Sequence, residues 1–236
     1  MSTNIRNIQK QLRSSGNKKT AAQLQTFFKT KKGEYGEGDQ FLGIRVPELR
    51  KYIKQYKNIS IAEISTLLTS LFHEERMSAL LMLVDKFSKG NAEEKKRVYE
   101  TYVNNTGWVN SWDLVDCSAH QIVGAYLMTR DKQPVYDLAS STLLWDRRIA
   151  IISTFYFIKH NEYKDALKIS EIFQYDREDL IHKAVGWMLR EIGKRDLIVE
   201  ENFLKKHYKN MPRTMLRYAI EKFEEKKRQA YLKGKI

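Results

Sequence analysis

Residues 61–87 read IAEISTLLTSLFHEERMSALLMLVDKF, and the spacing in this stretch decides the fold class. In Ile61–Phe72 the apolar positions Ile61, Ile64, Leu67, Leu68 and Leu71 recur at three and four, which puts them on one helix face. Glu75–Phe87 repeats the habit with Met77, Leu80, Leu81, Val84 and Phe87. Phe72-His73-Glu74 leaves room only for a short turn, so the two predicted helices pack as an antiparallel pair. Outward from there the pattern holds. Only three prolines occur, and five of the eleven glycines fall between Gly16 and Gly43, which leaves long stretches poor in helix breakers. Nothing alternates with period two for the length of a strand. The expected fold is all-α.

A weak internal repeat sharpens that expectation. Arg76-Met-Ser-Ala79, Arg148-Ile-Ala150, Lys183-Ala184 and Arg217-Tyr-Ala219 each set a basic residue just before a small residue on an apolar helix. Ala150, Ala184 and Ala219 are 34 and 35 residues apart, and Ala119, on a helix predicted through Asp116–Leu127, lies 40 and 31 from Ala79 and Ala150. Helix pairs repeating at this period suggest an α-solenoid, because each pair needs its neighbours to cover its apolar face. A basic residue recurring at one phase would line one side of the stack. No linker is evident, so residues 1–236 are expected to form a single domain. Lys29–Asp39 reads as a flexible polar loop, Pro47 as the first turn of a helix over 47–56, and Glu221–Ile236 as a solvated final helix with a frayed end.

Composition bounds the function. Lys and Arg number 42 against 29 acidic residues, a formal charge of +13 that favours a polyanionic partner. No apolar run is long enough to span a membrane, and the polar Met1–Gln11 argues against a secretory signal. The lone Cys117 excludes an internal disulfide framework and fits a reducing cytoplasm. His73-Glu74-Glu75 lacks the second histidine that a zinc-binding helix needs, and no other ligand spacing stands out, so neither metal nor cofactor is expected.

Chemistry gathers in Gly107-Trp-Val-Asn-Ser-Trp112-Asp113-Leu-Val-Asp116. On a helix Trp112 and Asp116 share a face one turn apart. Asp113 points away from that face and suits a capping role. Trp187 adds an indole in Lys183-Ala-Val-Gly-Trp187-Met-Leu-Arg190-Glu191, and Trp145 precedes Asp146-Arg147-Arg148. Each tryptophan taken singly reads equally well as core.

Four segments together resemble the AlkD type of bacterial DNA alkylation repair glycosylases. They are Phe41-Leu-Gly-Ile-Arg-Val-Pro47, Ser111-Trp-Asp-Leu-Val-Asp116, Asp146-Arg-Arg148-Ile-Ala150 and His182-Lys-Ala-Val-Gly-Trp187-Met-Leu-Arg190-Glu191, within a similarity running from about residue 20 to residue 220. The resemblance implies a HEAT-like solenoid whose basic concave face wraps duplex DNA. It implies catalysis by Asp116 with Trp112 and Trp187, and DNA contacts from Arg148, Arg190 and Lys183. It also implies action on alkylated purines while they are still stacked, and a solenoid of this length is expected to work as a monomer. The Gly-rich segment 33–39 departs from the family pattern as an insertion, and it leaves a DNA-contacting aromatic, Phe27 or Phe28, unassigned.

Those residue types suit the reaction. A purine alkylated at N3 or N7 is cationic and leaves without protonation, while its departure builds oxocarbenium-like charge on the sugar. A carboxylate stabilises that charge and directs water, and indole faces attract cations by about 0.5–2 kcal/mol each. A catalytically silent DNA-binding repeat protein and a protein-interaction scaffold are the alternatives. The scaffold has no need of +13, and neither has a use for a carboxylate set beside indoles.

Overall fold

The computed structural model describes residues 3–56 and 58–236, so the first two residues of the polar Met1–Gln11 segment lie outside it. The chain divides into two compact units, Met1–Val123 and Gly124–Ile236. The first holds α1 (Thr3–Ser14), α2 (Lys18–Phe27), α3 (Val46–Ile53), α4 (Ile61–Leu68), α5 (His73–Lys89), α6 (Ala92–Val103) and α7 (Trp112–Asp116). The second holds α8 (Ala125–Leu127), α9 (Gln133–Ala139), α10 (Leu144–Lys159), α11 (Lys164–Ile172), α12 (Asp179–Gly193), α13 (Leu197–His207), α14 (Arg213–Ala219) and α15 (Glu225–Leu232). Among the described residues β pairing is limited to an isolated bridge between Gln40 and Phe72. The all-α helical-repeat expectation holds.

In the first unit α5 is the central element, packed against α3, α4, α6 and α7. Its apolar residues Met77, Leu80, Leu81 and Leu83 are buried, each contributing about 1.5–3 kcal/mol of transfer free energy. The predicted pair 61–72 and 75–87 is α4 and α5, but the turn falls earlier than expected. α4 stops at Leu68, and His73 and Glu74 open α5 instead of linking the helices. Ser60 caps α4, accepting from Glu63 N at 3.2 Å, while the Glu63 carboxylate accepts from Ser60 N at 2.8 Å.

In the second unit α12 is the central element, packed on α10, α13 and α14. Gly186 lets α14 approach, since a Cβ there would collide with the Met215 carbonyl oxygen. One sequence expectation needs correction here. The helix through Asp116–Leu127 is broken: α7 ends at Asp116, a π-helical turn spans His120–Gly124, and α8 follows. The charged tail forms the solvated final helix expected of it, exposed or half-buried but for Tyr231, and its end is held rather than frayed: Tyr231 packs on Tyr208 at 5.3 Å, and the Tyr208 hydroxyl donates to the Ile236 carbonyl at 2.7 Å.

One cap recurs across both units. The Ser70 Oγ accepts from Phe72 N, the Ser141 Oγ from Leu143 N (both 3.1 Å), and Asp176 Oδ1 from Glu178 N (2.9 Å). Six residues on, Arg76 and Arg147 donate to the carbonyls of Ser70 and Ser141 at 2.8 and 3.2 Å, and His182 Nε2 lies 2.7 Å from the Asp176 carbonyl. This is the repeat stated in hydrogen bonds. Its register pairs Arg76 with Arg147, one residue before the Arg148 that the sequence pattern aligned with it.

Candidate functional site

α7 is short, and its orientation comes from what it buries. Leu114 and Val115 are fully buried, while Trp112, Asp113 and Asp116 are half-exposed. The two apolar residues therefore pin the helix and leave Trp112 and Asp116 half-buried one turn apart, while Asp113 turns toward the head of α5. Trp112 and Asp116 stand one turn apart, as their spacing predicts. Asp113 is not a helix cap. Its Oδ1 accepts only from the adjacent Leu114 N, and its Oδ2 takes a hydrogen bond from His73 Nε2 at 2.9 Å.

His73, placed by the sequence in the turn between the two helices, stands at the head of α5 and ties parts of the first unit together. The ring is buried between two carboxylates, Asp39 at Nδ1 (2.8 Å) and Asp113 at Nε2. Burial works against its charged form, but the Asp113 and Asp39 carboxylates outweigh it and lift the imidazole to about 9. Both nitrogens therefore carry protons at neutral pH and both donate. Burial pushes the Asp39 carboxyl upward, yet the hydrogen bond from His73 and the charge of Arg76, 2.7 Å away, hold it below the usual carboxylate range.

An aromatic stack runs from this ion cluster to the indole. Phe41 lies flat on His73 at 4.4 Å, Phe28 on Phe41 at 5.1 Å, and Trp112 on Phe28 at 5.2 Å with 16° between planes. A cationic imidazole against the Phe41 face is favourable. Phe27 meets the Trp112 ring edge-on at 6.0 Å and is 64% exposed. Of the two phenylalanines left open by the sequence, Phe28 supports the indole and Phe27 faces solvent. Between these rings and Arg45 lies an open cavity of about 480 Å³.

The segment Phe41–Pro47 is tied to α5 by Glu74, whose carboxylate accepts from Leu42 N, Gly43 N and Ile44 N at 2.8, 2.7 and 3.2 Å. Gly43 has φ +86°, and a Cβ there would strike the Asn17 carbonyl oxygen, so glycine is required. The loop expected to be flexible carries its own bonds, Gly36 N to Lys29 O at 3.1 Å and Gly33 N to Glu37 Oε2 at 2.7 Å, and ends on Asp39. The signal for all this was four consecutive ionisable residues, His73-Glu-Glu-Arg76, at the head of an apolar helix, each of them buried.

The remaining sequence candidates lie in the second unit. On α12, Trp187 Nε1 donates to Glu191 Oε1 at 3.3 Å, and its ring rests against Phe155 at 5.6 Å. Lys183 pairs with Asp179 at 2.7 Å, and Arg190 pairs with Glu221. Arg148, expected to face DNA, is 5% exposed, and its Nη1 donates to the Leu180 carbonyl at 2.6 Å. Its guanidinium ties α10 to the start of α12. Burial, with the Asp113 and Asp116 charges, pushes the Cys117 thiol up to about 12, so it is no nucleophile at neutral pH. Among the described residues no group of His, Cys, Asp and Glu is arranged to hold a metal ion, and no helix is long and apolar enough to cross a membrane.

The chain is thus a basic all-α helical-repeat protein with an indole and a carboxylate one turn apart on one short helix. More particularly, the chain belongs to the DNA alkylation repair enzyme family, whose family model matches residues 8–223. Its fold is similar to that of a solved structure described as a predicted DNA alkylation repair enzyme from Enterococcus faecalis. That similarity has a TM-score of 0.68 at 19% identity, over 88% of this chain and 96% of that one. No curated protein matches the chain.

Proposed function

We propose that this protein is a DNA glycosylase that hydrolyses the N-glycosidic bond of cationic N3- or N7-alkylated purines in duplex DNA. The observation that carries the reading is the pairing on α7 of the Trp112 indole and the Asp116 carboxylate, one turn apart and both half-buried, with Asp113 between them held by His73. In this reading the Asp116 carboxylate stabilises the oxocarbenium-like sugar and directs water to it. The Trp112 face, and the Trp187 face that the resemblance adds, favour the cationic base and polarised sugar C–H groups. The base leaves with the bonding electrons and its alkyl group, which needs no general acid; water supplies the hydroxyl to the anomeric carbon, and its remaining proton passes to the Asp116 carboxylate and on to solvent. Family membership and the +13 charge support duplex DNA as the substrate. Lys183 and Arg190, on the same helix as Trp187, are proposed DNA contacts; both are paired with acids that phosphate would have to displace. We propose further that Arg148 acts on DNA through α10 and α12 packing, given its burial. The protein is proposed to act as a monomer.

The deciding experiment is release of free base from methylated duplex DNA, with duplex affinity measured against salt. The wild type should release 3-methyladenine and 7-methylguanine, and log affinity should fall linearly with log salt. Steep binding without base release would make it a silent DNA binder, and a flat salt response would remove DNA as the partner.

A further inference from the structure

We propose that His73 is a positioning residue that clasps α7, and with it the Trp112 indole and the Asp116 carboxylate, to the loop ending at Asp39. The proposal rests on the reading of Asp116 as the catalytic carboxylate. α7 spans one turn and a half, its Ser111 N-cap makes no side-chain capping hydrogen bond, and a helix so short cannot hold its own direction. Its direction must come from tertiary contacts, and two of these lead to His73. One is the bond from Nε2 to Asp113, between Trp112 and Asp116 in the chain. The other is the stack from the imidazole through Phe41 and Phe28 to the Trp112 ring. On its far side the same imidazole donates to Asp39, which Arg76 holds in turn. The ring therefore joins three parts of the chain that share no covalent neighbour: the 29–39 loop, the head of α5, and α7.

The charged groups around the ring are Asp39 from the loop, Asp113 from α7, Arg76 and Glu74 from α5, and Arg45 at the start of α3, on the same cavity. Asp116 stands one turn beyond Asp113, and Cys117 stays neutral. Since the Asp113 and Asp39 carboxylates lift the folded imidazole to about 9, above its ordinary 6.5, the charged clasp's contribution to stability is fully present below about pH 6.5 and is lost as pH rises through about 9.

The test uses the full chain as His73→Gln and Asp113→Asn beside the wild type. It measures affinity for unmodified duplex, single-turnover release of 7-methylguanine, and amide exchange. In both variants duplex affinity should hold while release slows by between about ten- and a hundredfold, the size expected for misplaced catalytic groups. Exchange of the 112–117 amides should quicken while that of α9 to α15 does not. In the wild type the same amides, corrected for intrinsic rate, should lose protection as pH passes about 9, a step absent from His73→Gln. Unchanged release in His73→Gln overturns the proposal. If His73→Gln unfolds the unit, Asp113→Asn decides, since it keeps the side-chain shape: unchanged release and unchanged α7 exchange there also overturn it. If the wild type releases no base, the glycosylase reading falls on its own. The clasp is then judged on α7 exchange alone, quickened exchange upholding it and unchanged exchange sinking it.

Discussion

The turns that open α5 and α10 are built alike and do different things. In each, a serine hydroxyl accepts from the N–H two residues on and donates to a carboxylate five residues on, Glu75 at 2.7 Å and Asp146 at 2.8 Å. In each, an arginine at the sixth position bonds the serine carbonyl and pairs with an aspartate elsewhere, Asp39 for Arg76 and Asp176 for Arg147, both at 2.7 Å. Inside this shared frame the third and fourth positions differ. The second unit has Leu144 and Trp145, and the first has His73 and Glu74. The two ionisable residues tie down segment 39–44 and α7, beside the candidate carboxylate. The shared frame is what a helical repeat needs to start a helix; the two substituted positions adapt one copy to hold a site.

The largest expected effect tests the frame. Arg76 and Asp39 have side chains only 2% and 4% exposed, against 16% and 7% for Arg147 and Asp176. Arg76→Ala should therefore cost about 3–5 kcal/mol, the usual loss on breaking a buried pair, and Arg147→Ala less. Urea unfolding of the two variants checks this, and equal losses would mean that burial does not distinguish the two copies. A smaller effect tests the likeness. Ser70→Ala and Ser141→Ala should each cost about 1 kcal/mol, as each removes comparable hydrogen bonds. A cost confined to one of them would show that the two caps are alike in outline only.

Much of this was readable in the residues. The apolar stripes of 61–72 and 75–87 predict α4 and α5, and the alanine spacing of 34 and 35 predicts a repeat. Helix faces are local, so a local pattern reveals them. What a charged residue meets across the interior is not local. The resemblance implies a DNA contact at Arg148, yet its side chain is buried and donates to a carbonyl 32 residues away. The role of His73 is hidden from the sequence for the same reason, since its two carboxylates come from 34 residues before it and 40 after. Phe27 and Phe28 are adjacent and chemically identical, but one is exposed and the other buried, which only the position of Trp112 decides. The spacing of Trp112 and Asp116 survived because both lie within a single helical turn.

The charge of Asp116 is tested most directly by the single-turnover rate of 7-methylguanine release by Asp116→Asn, set beside Asp113→Asn, in preparations with wild-type duplex affinity. Both substitutions preserve shape and remove a carboxylate, so they separate direct electrostatic stabilisation from positioning. Asp116→Asn should slow release by about a hundred- to a thousandfold, as loss of a preorganised stabilising group does. Asp113→Asn should slow it by less, through His73 alone. A large loss in Asp113→Asn with near-normal release in Asp116→Asn would contradict the account and move the catalytic carboxylate to Asp113.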